Sequence, residues 1–496
     1  MDSSSTSTEA PPIGATATPS RLTLPVVLVG VALVAMSISG TAIALPSIGR
    51  DLDASGSPLN WVVAGYNLAF AAMTLVAGAT ADRVGRRRVF VASATIFALG
   101  FLAIALAGSI VIIDIARIVS GIGGAGVMAA GGALLASSYD GAARNRAFAF
   151  MGTMAGVGIA IGPTLVGALI AASGWRGSFV VFAVLGALIA LGAGRLAESR
   201  ARDGRTDWVG SVLFVTALSA LMFALLEGPE MGWGHPGVLS ALGGSLVAFV
   251  VFGVVQRRSP APVLAPELIA NRRFMGWCLA TLTTSIGFLG VLVFLPTYLQ
   301  SVAGYAPVVS GVAMLLLTAP VLVAPMLAVT LVNRGVSARM LIMIALLLVV
   351  VGNVGLLLLG PRNTVALIAV PLLLVGIGMG SSFGITDGQA MSLVPVRLVG
   401  TAAGFLNTLR GAAEALVIAA FSAALLGFLT ARLGEPEAAA GVASGRLDPA
   451  PGLARGVQID AFTASWHLTQ IGVGVVCLVL SVVVGVLLFA KPGRAR

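Results

Sequence analysis

Charged side chains make up only 10% of this chain, where soluble proteins carry about 25%. So little charge cannot coat the water-facing surface of 496 residues, and a large soluble α protein is excluded. Cysteine and histidine are almost missing. Cys278 and Cys477 lie inside apolar runs, and His235 and His467 are far apart. That leaves no disulfide framework and no His/Cys spacing for a metal. Lysine is rarer still, since Lys491 is the single exception among 29 basic residues. No Gly-x-x-x-x-Gly-Lys-Ser/Thr loop is present, which argues against ATP as a driver. No nucleophile–base cluster or soluble catalytic domain is visible, so neither an enzyme nor a cofactor is expected.

What the chain has is apolar length. Hydrophobic residues make up 58% and the mean hydropathy is +1.03. Stretches able to cross about 30 Å of hydrocarbon fall at 22–46, 57–81, 89–107, 110–137, 145–172, 177–197, 207–226, 237–256, 274–301, 307–331, 338–360, 363–391, 398–428 and 465–490. With no water in the bilayer core, each must be helical to satisfy its backbone. The expectation is an all-α polytopic membrane protein of about fourteen transmembrane helices. Residues 1–21 and 491–496 read as cytoplasmic tails, the first disordered. The long loop 429–464, rich in Ala, Gly and Pro, reads as an external solvated linker.

Arginine placement sets the orientation. With the N-terminus inside, 21 basic residues fall on the inner side and six outside, with Arg117 and Arg410 inside spans. This bias explains the net charge of +10 without nucleic acid. The chain also repeats itself. Ala44-Leu45-Pro46 is echoed by Phe294-Leu295-Pro296, Asp82-Arg83-Val84-Gly85 by Asn333-Arg334-Gly335, and Gly121-Ile122-Gly123 by Gly376-Ile377-Gly378. The offsets are nearly constant, which fits two six-helix halves at 22–197 and 257–490 with two helices inserted at 198–256.

Several residues could carry mechanism. Gly78, Asp82, Arg83, Gly85, Arg86, Arg87 and Arg88 crowd one cytoplasmic loop. There Asp82 can make charge-assisted hydrogen bonds that latch the halves together; plain positive-inside topology is the simpler reading of the arginines. A centred arginine costs about 2.5–3.5 kcal/mol on insertion scales, so Arg117 should face the bundle or water. Asp114 lies three residues before it on the same face and can pair with it. Gly158, Gly162 and Gly167 permit tight helix crossing, and Pro163 should kink its helix. Glu414 and Asp387 are embedded acids, with Arg410 one turn before Glu414. Each acid is either a proton site or half of a static ion pair. Cavity candidates are Ser37, Tyr66, Phe70, Met128, Met151, Met154, Tyr298, Gln389 and Asn407, of a kind suited to promiscuous apolar binding.

The run Gly78-Ala79-Thr80-Ala81-Asp82-Arg83-Val84-Gly85-Arg86-Arg87-Arg88 resembles the loop motif of the major facilitator superfamily, with Thr80 where leucine is usual. Four further runs resemble its fourteen-helix drug:proton antiporter branch: Arg117 to Gly123, Gly158 to Gly167, Asp207-Trp208-Val209-Gly210 and Pro296-Thr297-Tyr298-Leu299-Gln300. The resemblance implies proton-coupled export of an amphipathic organic compound across a bacterial plasma membrane, by a monomer in contact with membrane lipids. It also implies coupling through Arg117 and a seal against proton leak around Pro163. One departure stands out, because Ser37 occupies the place of the branch's acid in the first span. Coupling would then fall to Arg117, Asp114, Glu414, Asp387 and Arg410. The alternative is a lipid or metabolite exporter of the same fold with different or absent coupling.

Overall fold

The computed structural model describes residues 22–139, 141–200, 207–259, 266–361, 365–394, 399–447 and 454–489. Both tails therefore lie outside the described residues. Those described are almost wholly helical. The helices are α1 (Thr23–Asp51), α2 (Gly56–Val84), α3 (Arg86–Leu106), α4 (Ile110–Ser138), α5 (Gly141–Ala193), α6 (Trp208–Met231), α7 (Pro236–Arg258), α8 (Pro266–Ala270), α9 (Arg272–Ser301), α10 (Pro307–Asn333), α11 (Ala338–Gly355), α12 (Val365–Ser392), α13 (Val399–Leu433), α14 (Pro436–Ala443) and α15 (Arg455–Phe489).

Local chemistry sets the helix ends. Asp207 caps α6 by accepting from Gly210 N at 2.8 Å. Asn271 caps α9 by accepting from Arg273 N and Phe274 N. Proline opens α7, α10 and α14, where its missing N–H has no helical partner to lose. Among the described residues, 12 helices are long and apolar enough to cross a membrane. The count of fourteen differs from this in two places. The 29-residue helix α2 is not among the 12. The 53-residue α5 counts once, although Gly174 inside it has φ 71° and ψ 175°. That break, between the expected spans 145–172 and 177–197, is where α5 leaves helical geometry; the helix runs through Pro163 without one.

The sequence repeat has a structural counterpart. Gly85 (φ 128°) and Gly335 (φ 94°) make the turns from α2 to α3 and from α10 to α11, a backbone region that disfavours any side chain. Gly121 of α4 packs on Tyr66 of α2 and Gly123 on Ser93 of α3. In the same way Gly376 of α12 packs on Leu317 of α10 and Gly378 on Ala345 of α11.

Among the described residues the halves meet mainly along α5 and α10, α2 and α13, and α1 and α9, with α14 also touching α2. On α5, Gly158 and Gly162 lie against α1, where an added Cβ would sit 2.5 Å from Ala32 O and 3.0 Å from Met36 O. Over residues 160–167 the same helix meets α10. Thr164 Oγ1 donates to Gly311 O at 2.9 Å, Thr318 Oγ1 donates to Ala160 O at 2.8 Å, and a Cβ on Gly167 would lie 2.7 Å from Pro307 O. Gly411 of α13 packs on Ala71 of α2, and Gln300 Nε2 of α9 donates to Ile43 O of α1 at 3.3 Å. Among the described residues, these contacts gather in the middle and toward one end of the bundle.

The segment 429–464 is not simply a solvated linker. α13 continues to Leu433 and α15 begins at Arg455. Between them α14 buries Ala439, Ala440 and Val442, because an Ala-rich helix with small side chains can lie flat on the bundle.

Candidate functional site

Arg117 sits at the heart of the first half and has no solvent exposure. Its Nε–H donates to Val62 O at 2.7 Å and its Nη1 to Ser37 Oγ at 3.4 Å. The guanidinium lies 4.2 Å from the Tyr66 ring centroid and 5.7 Å from that of Phe101, so two aromatic faces attract it. Nη2 has no hydrogen-bond partner, and neither has the buried Tyr66 hydroxyl. Ser37 thus reaches the arginine at the place where a first-span acid would have met it.

The expected Asp114–Arg117 ion pair is not formed. Asp114 Oδ1 is buried without a partner. Spacing of three residues puts both on one face of α4, but Arg117 extends toward α1 and α2 and away from the acid. Asp114 remains within electrostatic reach of Arg117 and of Glu227 on α6.

In the second half, Arg410 Nη2 donates to Asp387 Oδ1 at 2.8 Å across from α13 to α12. Its guanidinium also lies 4.6 Å from the Phe383 ring centroid. Arg410 therefore pairs with the acid on the neighbouring helix, and not through a static bond to Glu414 one turn away. Glu414 Oε2 is buried with no hydrogen-bond partner. This carboxylate lies within electrostatic reach of Tyr66 in the other half. Asp387 is half exposed, with a side-chain accessibility of 50%.

The loop motif contacts the residues that lead from α5 into α6. Arg87 N donates to Glu198 Oε1 at 3.0 Å, Arg87 Nη1 to Leu196 O at 3.2 Å, and Arg86 N to Ser199 O at 3.0 Å. Arg83 lies 5.8 Å from the Trp208 ring centroid. Gly78 makes only an ordinary contact, with Ala129. The side chains of Asp82 and Asn407 lie outside the described residues. Phe70, Met128, Met151, Met154 and Gln389 are half-buried. Tyr298 is wholly buried, bonded to Thr463 Oγ1 at 2.8 Å and packed on Phe462 and Trp466, so it belongs to the packing of the second half.

Two acids that the sequence reading passed over prove structural. Glu227 Oε1 accepts from Ser57 Oγ at 2.6 Å and from Trp61 Nε1 at 2.9 Å, and Glu230 accepts from Ser57 N. They fasten α6 to the start of α2, where Ser57 N has no partner within its own helix. The run Leu226-Glu227-Gly228-Pro229-Glu230 carried the signal: two acids beside a proline at a span end.

The Major Facilitator Superfamily matches residues 27–418, and the chain belongs to that family. It is 32% identical over 394 residues to the multidrug resistance protein Stp of Mycobacterium tuberculosis, covering 79% of this chain and 73% of the relative. It is 32% identical to the puromycin resistance protein pur8 of Streptomyces alboniger, covering 83% of each. Among solved structures, a bacterial homolog of the human lysosomal transporter Spinster, in an inward-facing and occupied conformation, superposes with a TM-score of 0.68 at 16% identity, over 94% of this chain and 96% of that one. The chain is thus a multi-pass membrane transporter of the major facilitator fold, and no enzyme.

Proposed function

We infer that this transporter exports small amphipathic organic compounds in exchange for protons, by alternating access. The carrying observation is Glu414: a carboxylate oxygen without a partner, buried at the meeting of the two halves. A buried acid with no fixed partner can take a proton in one state and release it in the other. Arg410 is drawn aside by Asp387, which leaves Glu414 open to exchange. Arg117, also without an acid partner, holds a fixed positive charge in the opposite half. Resistance proteins among the relatives support a drug-like substrate.

The same reading takes α2 and the two arms of α5 on either side of Gly174 as crossings, which makes fourteen with both termini cytoplasmic. It divides the chain into halves at 22–197 and 257–490, joined by the inserted pair at 198–256. Each proton entering would gain about 2.3 kcal/mol per 100 mV.

The test is Glu414→Gln in proteoliposomes carrying a proton gradient and a fluorescent amphipathic cation. Export driven by the gradient should fall at least tenfold, while export down a substrate gradient survives. Gradient-driven export at the parent rate would sink the reading. Ser37 favours one other reading, a lipid or metabolite exporter without proton coupling. In that case the parent protein transports equally well at zero proton gradient.

A further inference from the structure

The first loop of the molecule, between α1 and α2, is clasped by a segment nearly four hundred residues later. Arg446, just beyond α14, donates from Nη1 to Asp53 and from Nη2 to Ser55 Oγ. Beside this, Ala440 of α14 packs on Gly56, where an added Cβ would lie 3.0 Å from the Ala440 methyl. The receiving loop is built for close approach, since Asp53 (φ 49°) and Gly56 (φ 64°) both have left-handed backbones. On its other side the strap rests on the second half, where a Cβ on Gly445 would lie 3.2 Å from Ser301 and Thr297 of α9. Residues 436–446 therefore bridge the two halves, at the end of the bundle where α5 and α10 are also closed.

We propose that Arg446, Asp53 and Ser55 are the residues of an outer gate: a clasp that each transport cycle makes and breaks. The reasoning begins with strength. The Asp53 side chain is 91% exposed and that of Arg446 26%. An ion pair so wet contributes little net stability, so it cannot weld the halves together. A contact meant to be permanent would be more sheltered and tied at several points, as half-buried Glu227 and Glu230 are against Ser57 and Trp61 of α2. A weak contact between bodies that must part biases a two-state equilibrium without freezing it. The alanine face of α14 acts likewise, since small side chains on Gly56 leave no deep interlock to undo. This gate rests on alternating access and needs no proton coupling.

The experiment uses full-length protein in proteoliposomes, with Thr164→Cys as a reporter at the α5–α10 contact. A membrane-impermeant maleimide reaches this cysteine only when α5 and α10 part at their outer ends. Arg446→Ala should raise its labelling rate about threefold to fivefold, and high external salt should do the same for the parent. Asp53→Arg combined with Arg446→Asp should return labelling to near the parent rate. Ser55→Cys with Arg446→Cys, joined by a short bis-methanethiosulfonate linker that replaces the reach of the arginine side chain, should stop labelling and transport together, and reductant should restore both in the same sample. That reversal excludes misfolding as the cause. Unchanged labelling in Arg446→Ala, or transport at the parent rate with the cross-link closed, overturns the gate. Labelling is read without substrate or proton gradient, so a failure of proton coupling leaves this test untouched.

Discussion

Arg117 is held by shape as much as by charge. Its Nε–H bond to Val62 O requires the guanidinium's side-on donor, and its stacking on Tyr66 requires a flat face. A lysine keeps the charge but has neither feature. With no acid in bonding reach, a buried cation also depends on these contacts to offset its desolvation. Arg117→Lys is therefore expected to lower export of a fluorescent substrate at least tenfold, with detergent-purified protein still monodisperse. Export within twofold of the parent would mean that a positive charge alone suffices. The position of this arginine was readable, because an intramembrane charge is rare enough to mark itself. Its partner was not. Spacing along α4 named Asp114, whereas the side chain points across to α1 and α2. Similarly, Arg410 found Asp387 on α12, a pairing between helices that no spacing along one helix reveals.

At the scale of elements, α5 packs both on α1 of its own half and on α10 of the other. Gly158 and Gly162 are seated on α1, and Gly167 beside Pro307 of α10. Backbones this close gain dispersion contacts that lipid chains cannot supply. Gly167→Val would drive a branched side chain into the Pro307 carbonyl. Overpacking of this kind costs about 1–3 kcal/mol. The expected outcome is a lower unfolding temperature in detergent, with faster external labelling of Thr164→Cys as α5 and α10 separate. An unchanged melting temperature and unchanged labelling would mean that α10 simply shifts aside. Glycines at this spacing announced close packing in the sequence, since nothing else explains so many in an apolar run. They did not say which neighbour each would meet. Pro163 stays within helical backbone geometry, and the break lies at Gly174, between the expected spans 145–172 and 177–197. The folding of α14 was least legible of all. Its alanines favour a helix and Pro436 can open one, but eight residues between two spans are too short to stand out as an element.

For the whole molecule, the repeat is the deepest regularity, and it carries a consequence for assembly. Gly85 and Gly335 occupy matching turns, and the two pairs Gly121/Gly123 and Gly376/Gly378 seat matching helices. Each half thus builds its own packing from local rules. Among the described residues, the contacts between halves include Thr164 to Gly311, Thr318 to Ala160, Gln300 to Ile43, Gly411 against Ala71, and the exposed clasp of Arg446 on Asp53 and Ser55. In a bilayer there is no hydrophobic drive to press the halves together, so these close contacts must supply the association. Residues 1–259 and 260–496 co-expressed as separate chains, with an affinity tag on the second, are expected to co-purify in mild detergent in near-equal amounts. Gly167→Val in the first fragment should cut that recovery severalfold, because it strikes the α5–α10 seam without touching the core of either half. Recovery of the tagged fragment alone would show that the covalent link holds the halves together. Equal recovery with and without the valine would move the association to the α2–α13 and α1–α9 seams.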